Sequence, residues 1–146
     1  MLGNLLLGSG RVEESQRHYR EARRLDPDNP LVYYNLGLAL ARAGALREAE
    51  SEFRAALARR PDYAEAHNNL AATLVQLGNL PEAAEHLRVA ARLNPANPRV
   101  HYNLGELSLR QGRPEAAAGH FREALRRDPG FRQASDRLAA IGTTAR

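Results

Sequence analysis

Five histidines are the residues of this chain whose spacing invites a test for metal chemistry. His67 and His101 share one place in a 34-residue interval, and His18, His86 and His120 share another. Equivalent places in stacked helices lie roughly 8–10 Å apart, whereas the ligands of one zinc ion lie about 2 Å from it. We therefore predict a row of surface or interlayer histidines, with no metal site and no cofactor.

Glutamates recur in the same way, and a carboxylate pair could act as an acid and a base. The recurring residues are Glu14, Glu48, Glu82 and Glu115. Each follows a turn, where a carboxylate is stabilised by the unpaired N–H groups of a starting helix. The chain has no cysteine and no phosphate-binding, dinucleotide-binding, HExxH or GxSxG motif. We predict no catalytic residues, and therefore no enzyme in this chain alone.

Proline and glycine set the frame that positions these side chains. Both residue types recur at intervals of 34 residues. The prolines are Pro27, Pro61, Pro95 and Pro129, and the glycines are Gly10, Gly44, Gly78 and Gly112. Two helix-breaking residue types with one shared period predict a chain of helix hairpins. The last three of these glycines are expected to close a first helix in the left-handed conformation.

The starts of the predicted helices carry capping signals. Asn29 and Asn97 each precede a proline, which predicts an N-cap followed by proline in the first turn. Asp62 with Glu65 three residues later predicts a capping box. Within the hairpins, small residues on the first helix are expected to face small residues on the second. These are Gly37, Ala71 and Gly105 on one side and Ala49, Ala83 and Ala117 on the other.

The pattern Tyr33-x-x-Leu36-Gly37-x-x-Leu40, followed by Ala49-x-x-x-Phe53-x-x-Ala56 and Pro61, resembles the tetratricopeptide repeat family. Tyr33, His67 and His101 stand where the family pattern has tryptophan. The resemblance implies an all-α fold, a right-handed α–α superhelix of about three and a half helix-turn-helix repeats plus a C-terminal capping helix. It implies an incomplete repeat at 1–29, repeats at 30–63, 64–97 and 98–131, and the capping helix and tail at 132–146. Residues 2–8 are then the end of a first helix and not a signal peptide.

First helices line the concave groove of such a superhelix, and each carries asparagine at the same place. We call Asn35, Asn69 and Asn103 the asparagine column. Asparagine is a mediocre helix former, but its carboxamide both donates and accepts hydrogen bonds. The column resembles the asparagine ladder of O-linked N-acetylglucosamine transferases, which implies contact with an extended peptide. The alternative is that the column ties each helix to the neighbouring repeat.

Further side chains are expected on the same face as the asparagine column. They are Tyr34, Asn68 and Tyr102, then Leu38, Ala72 and Glu106, then Arg42, Gln76 and Arg110. Tyrosine is a common anchor at binding surfaces. Arginine can bond a carboxylate of the partner. Three neutral bonds plus groove burial predict a dissociation constant of roughly micromolar.

The charge pattern bears on other partners. The chain has 21 basic and 17 acidic residues, and every basic residue is arginine, which indicates GC-rich bacterial coding. Arg20, Arg54, Arg88 and Arg122 form a column in which glutamates are interleaved. A nucleic-acid site needs an unbroken basic strip with stacking aromatics, so we predict an ion-paired solvated face and no nucleic acid. No apolar stretch reaches the ~20 residues of a membrane span, and we expect a cytoplasmic protein.

These observations predict a protein–protein interaction scaffold that binds an extended peptide or partner segment in its groove. One alternative is a targeting or substrate-docking fragment of a larger enzyme, such as a glycosyltransferase or sulfotransferase. Another is a self-assembling scaffold, a homo-oligomer formed through an uncapped N-terminal end. A mass that depends on concentration would support the last of these.

Overall fold

The computed structural model describes residues 12–144, which form helices joined by short turns. The eight helices of this part are α1 (Val12–Leu25), α2 (Pro30–Arg42), α3 (Leu46–Arg59), α4 (Ala64–Leu77), α5 (Leu80–Leu93), α6 (Pro98–Arg110), α7 (Pro114–Arg127) and α8 (Arg132–Thr144). Helices α2–α3, α4–α5 and α6–α7 pack as hairpins, α1 packs on α2, and α8 packs on α7. The predicted all-α helix-turn-helix solenoid is confirmed. The helix end predicted at residues 2–8 lies outside the described residues.

Glycines close the first helix of each hairpin, as the sequence predicts. Gly44, Gly78 and Gly112 have φ angles of 77°, 85° and 69°. Most other residue types are strained in this left-handed region because their Cβ approaches the backbone. Three equal turns therefore give each second helix the same path back along its first helix.

Asparagine caps two of the first helices, as predicted. The Oδ1 atom of Asn29 accepts a hydrogen bond from the Leu31 N–H at 3.0 Å. The Oδ1 atom of Asn97 accepts one from the Arg99 N–H, also at 3.0 Å. Each bond satisfies a backbone donor that the first turn of a helix leaves unpaired.

The predicted capping box of Asp62 and Glu65 is wrong. The N-cap of α4 is Tyr63, and no side chain caps that helix start. Asp62 lies one residue too early to reach the first-turn N–H groups, and its carboxylate lies 3.5 Å from Arg60 Nε instead. The Tyr63 ring is buried beside Tyr33, so tertiary packing of this aromatic side chain fixes the helix start.

Replacing Asn97 with alanine should lower the free energy of unfolding by about 1 kcal/mol, because one backbone donor of α6 loses its partner. Urea denaturation monitored by circular dichroism measures this. Asn79→Ala is the matched control, since Asn79 precedes α5 but caps no backbone N–H and donates to half-buried Glu82 instead. Equal losses in the two variants would contradict the assigned cap.

The hairpin interiors depend on a close approach of glycine to an aromatic ring. A Cβ placed on Gly37 would lie 2.7 Å from Phe53 Cε1, and one on Gly105 would lie 2.4 Å from Phe121 Cε1. The glycines therefore accommodate large aromatic rings, and the predicted facing of small residues stays a prediction. The middle hairpin has the larger Ala71 on α4 and the smaller Leu87 on α5, both fully buried. The volumes on the two sides of each hairpin compensate one another.

Candidate functional site

A groove of about 330 Å³ lies where α4, α6 and α8 meet. Its lining consists of Ala72, Val75, Gln76, Tyr102, Asn103, Glu106, Arg110 and Arg137. All but Val75 and Arg137 belong to the face that the sequence predicts. The structure thus brings together predicted groove residues from two consecutive repeats.

The other predicted groove residues lie on α2 and α4, outside the lining of this groove. Asn35 and Asn68 are buried, Tyr34 and Asn69 are half-buried, and Arg42 is exposed. The groove therefore holds the Asn103 end of the asparagine column. The peptide contacts of the column stay a prediction.

The asparagine column is bonded to the neighbouring repeat at two of its three members. Asn69 Nδ2 donates to Tyr34 Oη at 3.0 Å, and Asn103 Nδ2 donates to Asn68 Oδ1 at 2.9 Å. Both bonds reach 35 residues back along the chain. These two bonds are of the kind expected from the alternative interpretation of the sequence, in which the column ties each helix to the neighbouring repeat.

Arg137 continues the column into the capping helix, since it lies 34 residues after Asn103. A side-chain hydrogen bond to Tyr102, again 35 residues back, is the main cause that raises the pKa of Arg137. Arg137 Nη2 also donates to Glu106 Oε2 at 2.9 Å. Arg137 Nε lies 2.7 Å from Glu106 Oε1, although that oxygen accepts no well-aligned hydrogen bond. Arg137 is not among the site residues predicted from the sequence, although the 34-residue interval points to it.

The carboxamides of Asn69 and Asn103 can form further hydrogen bonds, to a ligand. A carboxamide has two N–H donors and an oxygen with two lone pairs, and the inter-repeat bond uses one donor. The Oδ1 atoms of Asn69 and Asn103 accept no hydrogen bond from a described residue, and neither is a buried unpaired atom. Each therefore reaches the solvent as an acceptor whose orientation is fixed by the neighbouring repeat.

The two groove tyrosines also pack inside the protein. The Tyr34 ring lies 4.9 Å from that of Tyr63, and burial is the main cause that raises the pKa of Tyr34. The Tyr102 ring lies 5.4 Å from the Phe131 ring in an edge-to-face arrangement. Part of each ring is thus used for packing between repeats, and part stays accessible.

Two histidines from different columns form a pair inside the middle hairpin, which the sequence analysis did not predict. His67 Nδ1 lies 2.8 Å from His86 Nδ1, and His67 Nε2 lies 2.9 Å from the Pro61 carbonyl oxygen. A carbonyl only accepts, so His67 Nε2 carries a proton. In the neutral pair His86 Nδ1–H must then donate to His67 Nδ1. Glu82 and Arg54 face the outer side of His86.

Acidification should destabilise the fold through these histidines. Burial, followed by the neighbouring His67, lowers the pKa of His86; burial, followed by His101, lowers the pKa of His120. The unfolded chain therefore binds more protons near pH 6 than the folded chain does, and stability falls as the pH drops below the unfolded value of about 6.5.

We expect the melting temperature to fall between about pH 7.5 and about pH 5.5, a window in which carboxylates stay ionised. The double variant His86→Gln/His120→Gln should show a smaller fall. A pH dependence that is unchanged in the double variant would exclude these two side chains as its cause.

Two members of the arginine column on the second helices, Arg54 and Arg88, are neutralised by carboxylates. Arg54 bonds Glu50 at 2.8 Å and Glu82 at 2.6 Å, and Arg88 bonds Glu85 at 2.7 Å. Glu123 pairs with arginines of the last turn of α7. The Arg54–Glu82 bridge joins the second helices of consecutive repeats. Among the described residues, no group of three or more metal-binding side chains lies close enough to hold an ion.

The repeating hairpins agree with comparisons to known proteins. A family model described as tetratricopeptide repeat matches residues 1–64, 43–98 and 73–130. The chain belongs to the tetratricopeptide repeat family. This fold is typically a non-catalytic interaction module. No helix between residues 12 and 144 is long and apolar enough to span a bilayer.

Solved structures of tetratricopeptide repeat proteins match along nearly the whole chain. PilF of Pseudomonas aeruginosa is 27% identical with a TM-score of 0.86, over 99% of this chain and 66% of that one. MamA of Desulfovibrio magneticus RS-1 is 24% identical with a TM-score of 0.82, over 99% and 81%. A thermophilic protein of Thermus thermophilus is 22% identical with a TM-score of 0.87, over 99% and 79%. No curated protein matches the chain in sequence.

Proposed function

We propose that this tetratricopeptide repeat chain binds an extended segment of a partner protein along the face formed by α2, α4 and α6. The observation that supports the proposal most is the groove in which Gln76, Asn103 and Arg110 come together. These side chains offer donors, an acceptor and a positive charge at one place. We assign the chain a binding role without catalysis.

In this proposal the asparagine column forms hydrogen bonds to the backbone of the partner segment, as the likeness to the ladder of O-linked N-acetylglucosamine transferases implies. The bonds of Asn69 and Asn103 to the preceding repeat orient their carboxamides. Their Oδ1 atoms then accept N–H groups of the bound backbone. Orientation before binding lowers the entropy lost on association, so the structural and the binding roles reinforce each other. Each bond contributes about 1 kcal/mol, which is consistent with affinity of roughly micromolar.

Charge narrows the class of partner segment to one that carries a carboxylate. Arg42 and Arg110 are exposed at the ends of α2 and α6, and Arg110 forms no ion pair with another described residue. Glu106 lies in the same groove, but its charge is balanced by Arg137. An acidic side chain of the ligand would therefore meet a net positive surface.

Several alternatives are open beside this proposal. The chain could be the substrate-docking part of a larger enzyme, and it could assemble with further copies of itself. The division into repeats at 1–29, 30–63, 64–97, 98–131 and 132–146 is part of the proposal, as are a bacterial source and a cytoplasmic location. Nucleic acid is disfavoured because carboxylates interrupt the arginine column.

Selection from a library of random twelve-residue peptides tests the proposal. Peptides enriched on the wild-type protein should bind the Arg110→Gln variant about tenfold more weakly, the effect of one lost charge-assisted bond. Arg88→Gln is the matched control, because Arg88 lies on α5 and pairs with exposed Glu85. Peptides that bind Arg110→Gln as well as wild type, or no enriched peptides at all, would count against the groove.

A further inference from the structure

A second and larger cavity, of about 670 Å³, also borders the capping helix α8. The end of α6, the first half of α7 and the second half of α8 enclose it. Leu109, Ala118 and Ile141 form its apolar part, and Arg122, Arg137 and Glu115 supply the charged side chains. Arg137 lines both this cavity and the groove, but none of the groove residues predicted from the sequence lines the cavity, so the inference does not rest on the proposed function.

Residues 34 positions earlier in the chain show what covers the equivalent surface between two consecutive repeats. Leu109 and Ile141 are partly exposed, whereas the residues 34 positions earlier, Val75 and Leu107, are 5% and 4% exposed. Arg122 lies two intervals after Arg54, whose guanidinium bonds Glu82 in the first turn of α5. At Arg54 this position is therefore met by a second helix with an acidic first turn, whereas Arg88, one interval before Arg122, pairs with Glu85 of its own helix.

The cavity at α8 keeps the features that such a helix requires. Arg122 is exposed and forms no ion pair with another described residue. The adjoining surface is apolar and leaves room for a side chain of the ligand, because Pro114 and Ala118 are small. An apolar patch beside an unpaired charge favours a ligand with the complementary pattern.

We propose that this surface binds an amphipathic α-helix of a partner protein, with alanine and leucine over Leu109 and Ile141 and a first-turn carboxylate on Arg122. The partner helix takes the position that α5 takes on the preceding hairpins. Binding here leaves the concave groove open, so one molecule of this chain joins two partners.

The single isoleucine of the chain, Ile141, provides a direct test. A protein labelled with ¹³C only at the isoleucine δ1 methyl gives one signal, located in the cavity. The probe is a peptide with the sequence of Leu80–Leu93, held helical by a side-chain staple between positions 88 and 92, which are exposed in this fold. We expect a saturable shift of the Ile141 signal.

Two changes should weaken that binding about tenfold, the effect of one charge-assisted contact. They are Arg122→Glu in the protein and glutamine in place of the glutamate at position 82 of the peptide. Arg88→Glu is the control and should leave binding unchanged. An Ile141 signal that does not move, or equal affinities for all variants, would overturn the proposal. So would a mass of two chains together with an Ile141 signal that does not respond to the peptide, because a second copy would then cover the surface.

Discussion

Gly105→Ala should lower the free energy of unfolding by about 1–3 kcal/mol, although alanine is the better helix former. The added Cβ would lie 2.4 Å from Phe121 Cε1, which is well inside contact distance. The ring is fully buried between α6 and α7, so the clash is relieved only by shifting one of these helices. Thermal and urea denaturation measure the loss.

The middle hairpin, α4–α5, indicates how the stability lost in Gly105→Ala can be restored. Ala71 and Leu87 occupy there the positions of Gly105 and Phe121. The double variant Gly105→Ala/Phe121→Leu should therefore recover part of the stability lost in the single variant, a favourable coupling of about 0.5–3 kcal/mol. Gly119→Ala is the control: a Cβ at this exposed α7 position meets no atom, so helix propensity should stabilise it by up to about 1 kcal/mol. If the stability changes of Gly105→Ala and Phe121→Leu simply add in the double variant, the two side-chain volumes do not compensate one another.

The double variant Arg42→Glu/Arg110→Glu should weaken binding of a selected acidic peptide by about 10–100-fold. Each reversal removes a charge-assisted bond of about 1.5–3 kcal/mol and adds repulsion. Calorimetric titration measures the affinity, and a rise in salt should weaken the wild-type complex more than the variant complex.

Arg20→Glu/Arg88→Glu is the matched control, with the same change in net charge on second helices. Equal weakening in both double variants would mean that overall charge, and not the concave face, attracts the peptide.

The sequence predicted the frame of this fold because its signals are local. A proline, a glycine and a capping asparagine each act within a few residues, and their 34-residue period places every hairpin. Asp62 shows the limit of this approach: its spacing to Glu65 fits a capping box, but the packing of the Tyr63 ring decides where α4 starts. Local capping signals do not report such tertiary contacts.

The candidate site was predictable in part for the same reason. The period located the asparagine column, whereas its partners Tyr34 and Asn68 depend on how far one repeat is rotated against the next. The His67–His86 pair joins two columns on different helices, so comparing equivalent positions alone could not find it. Arg137 was not predicted because arginine replaces asparagine at this position of the column, although the position and the bond to the preceding repeat are retained.

The most direct test of a peptide in the concave groove observes the side-chain amide groups of asparagine. In a ¹⁵N-labelled protein titrated with a selected peptide, the signals of the asparagine column should shift saturably. The turn asparagines serve as internal controls and should stay in place; they are Asn29, Asn79, Asn94 and Asn97. Shifts confined to the turn asparagines, or a bound peptide that moves no signal of the column, would contradict the proposed site.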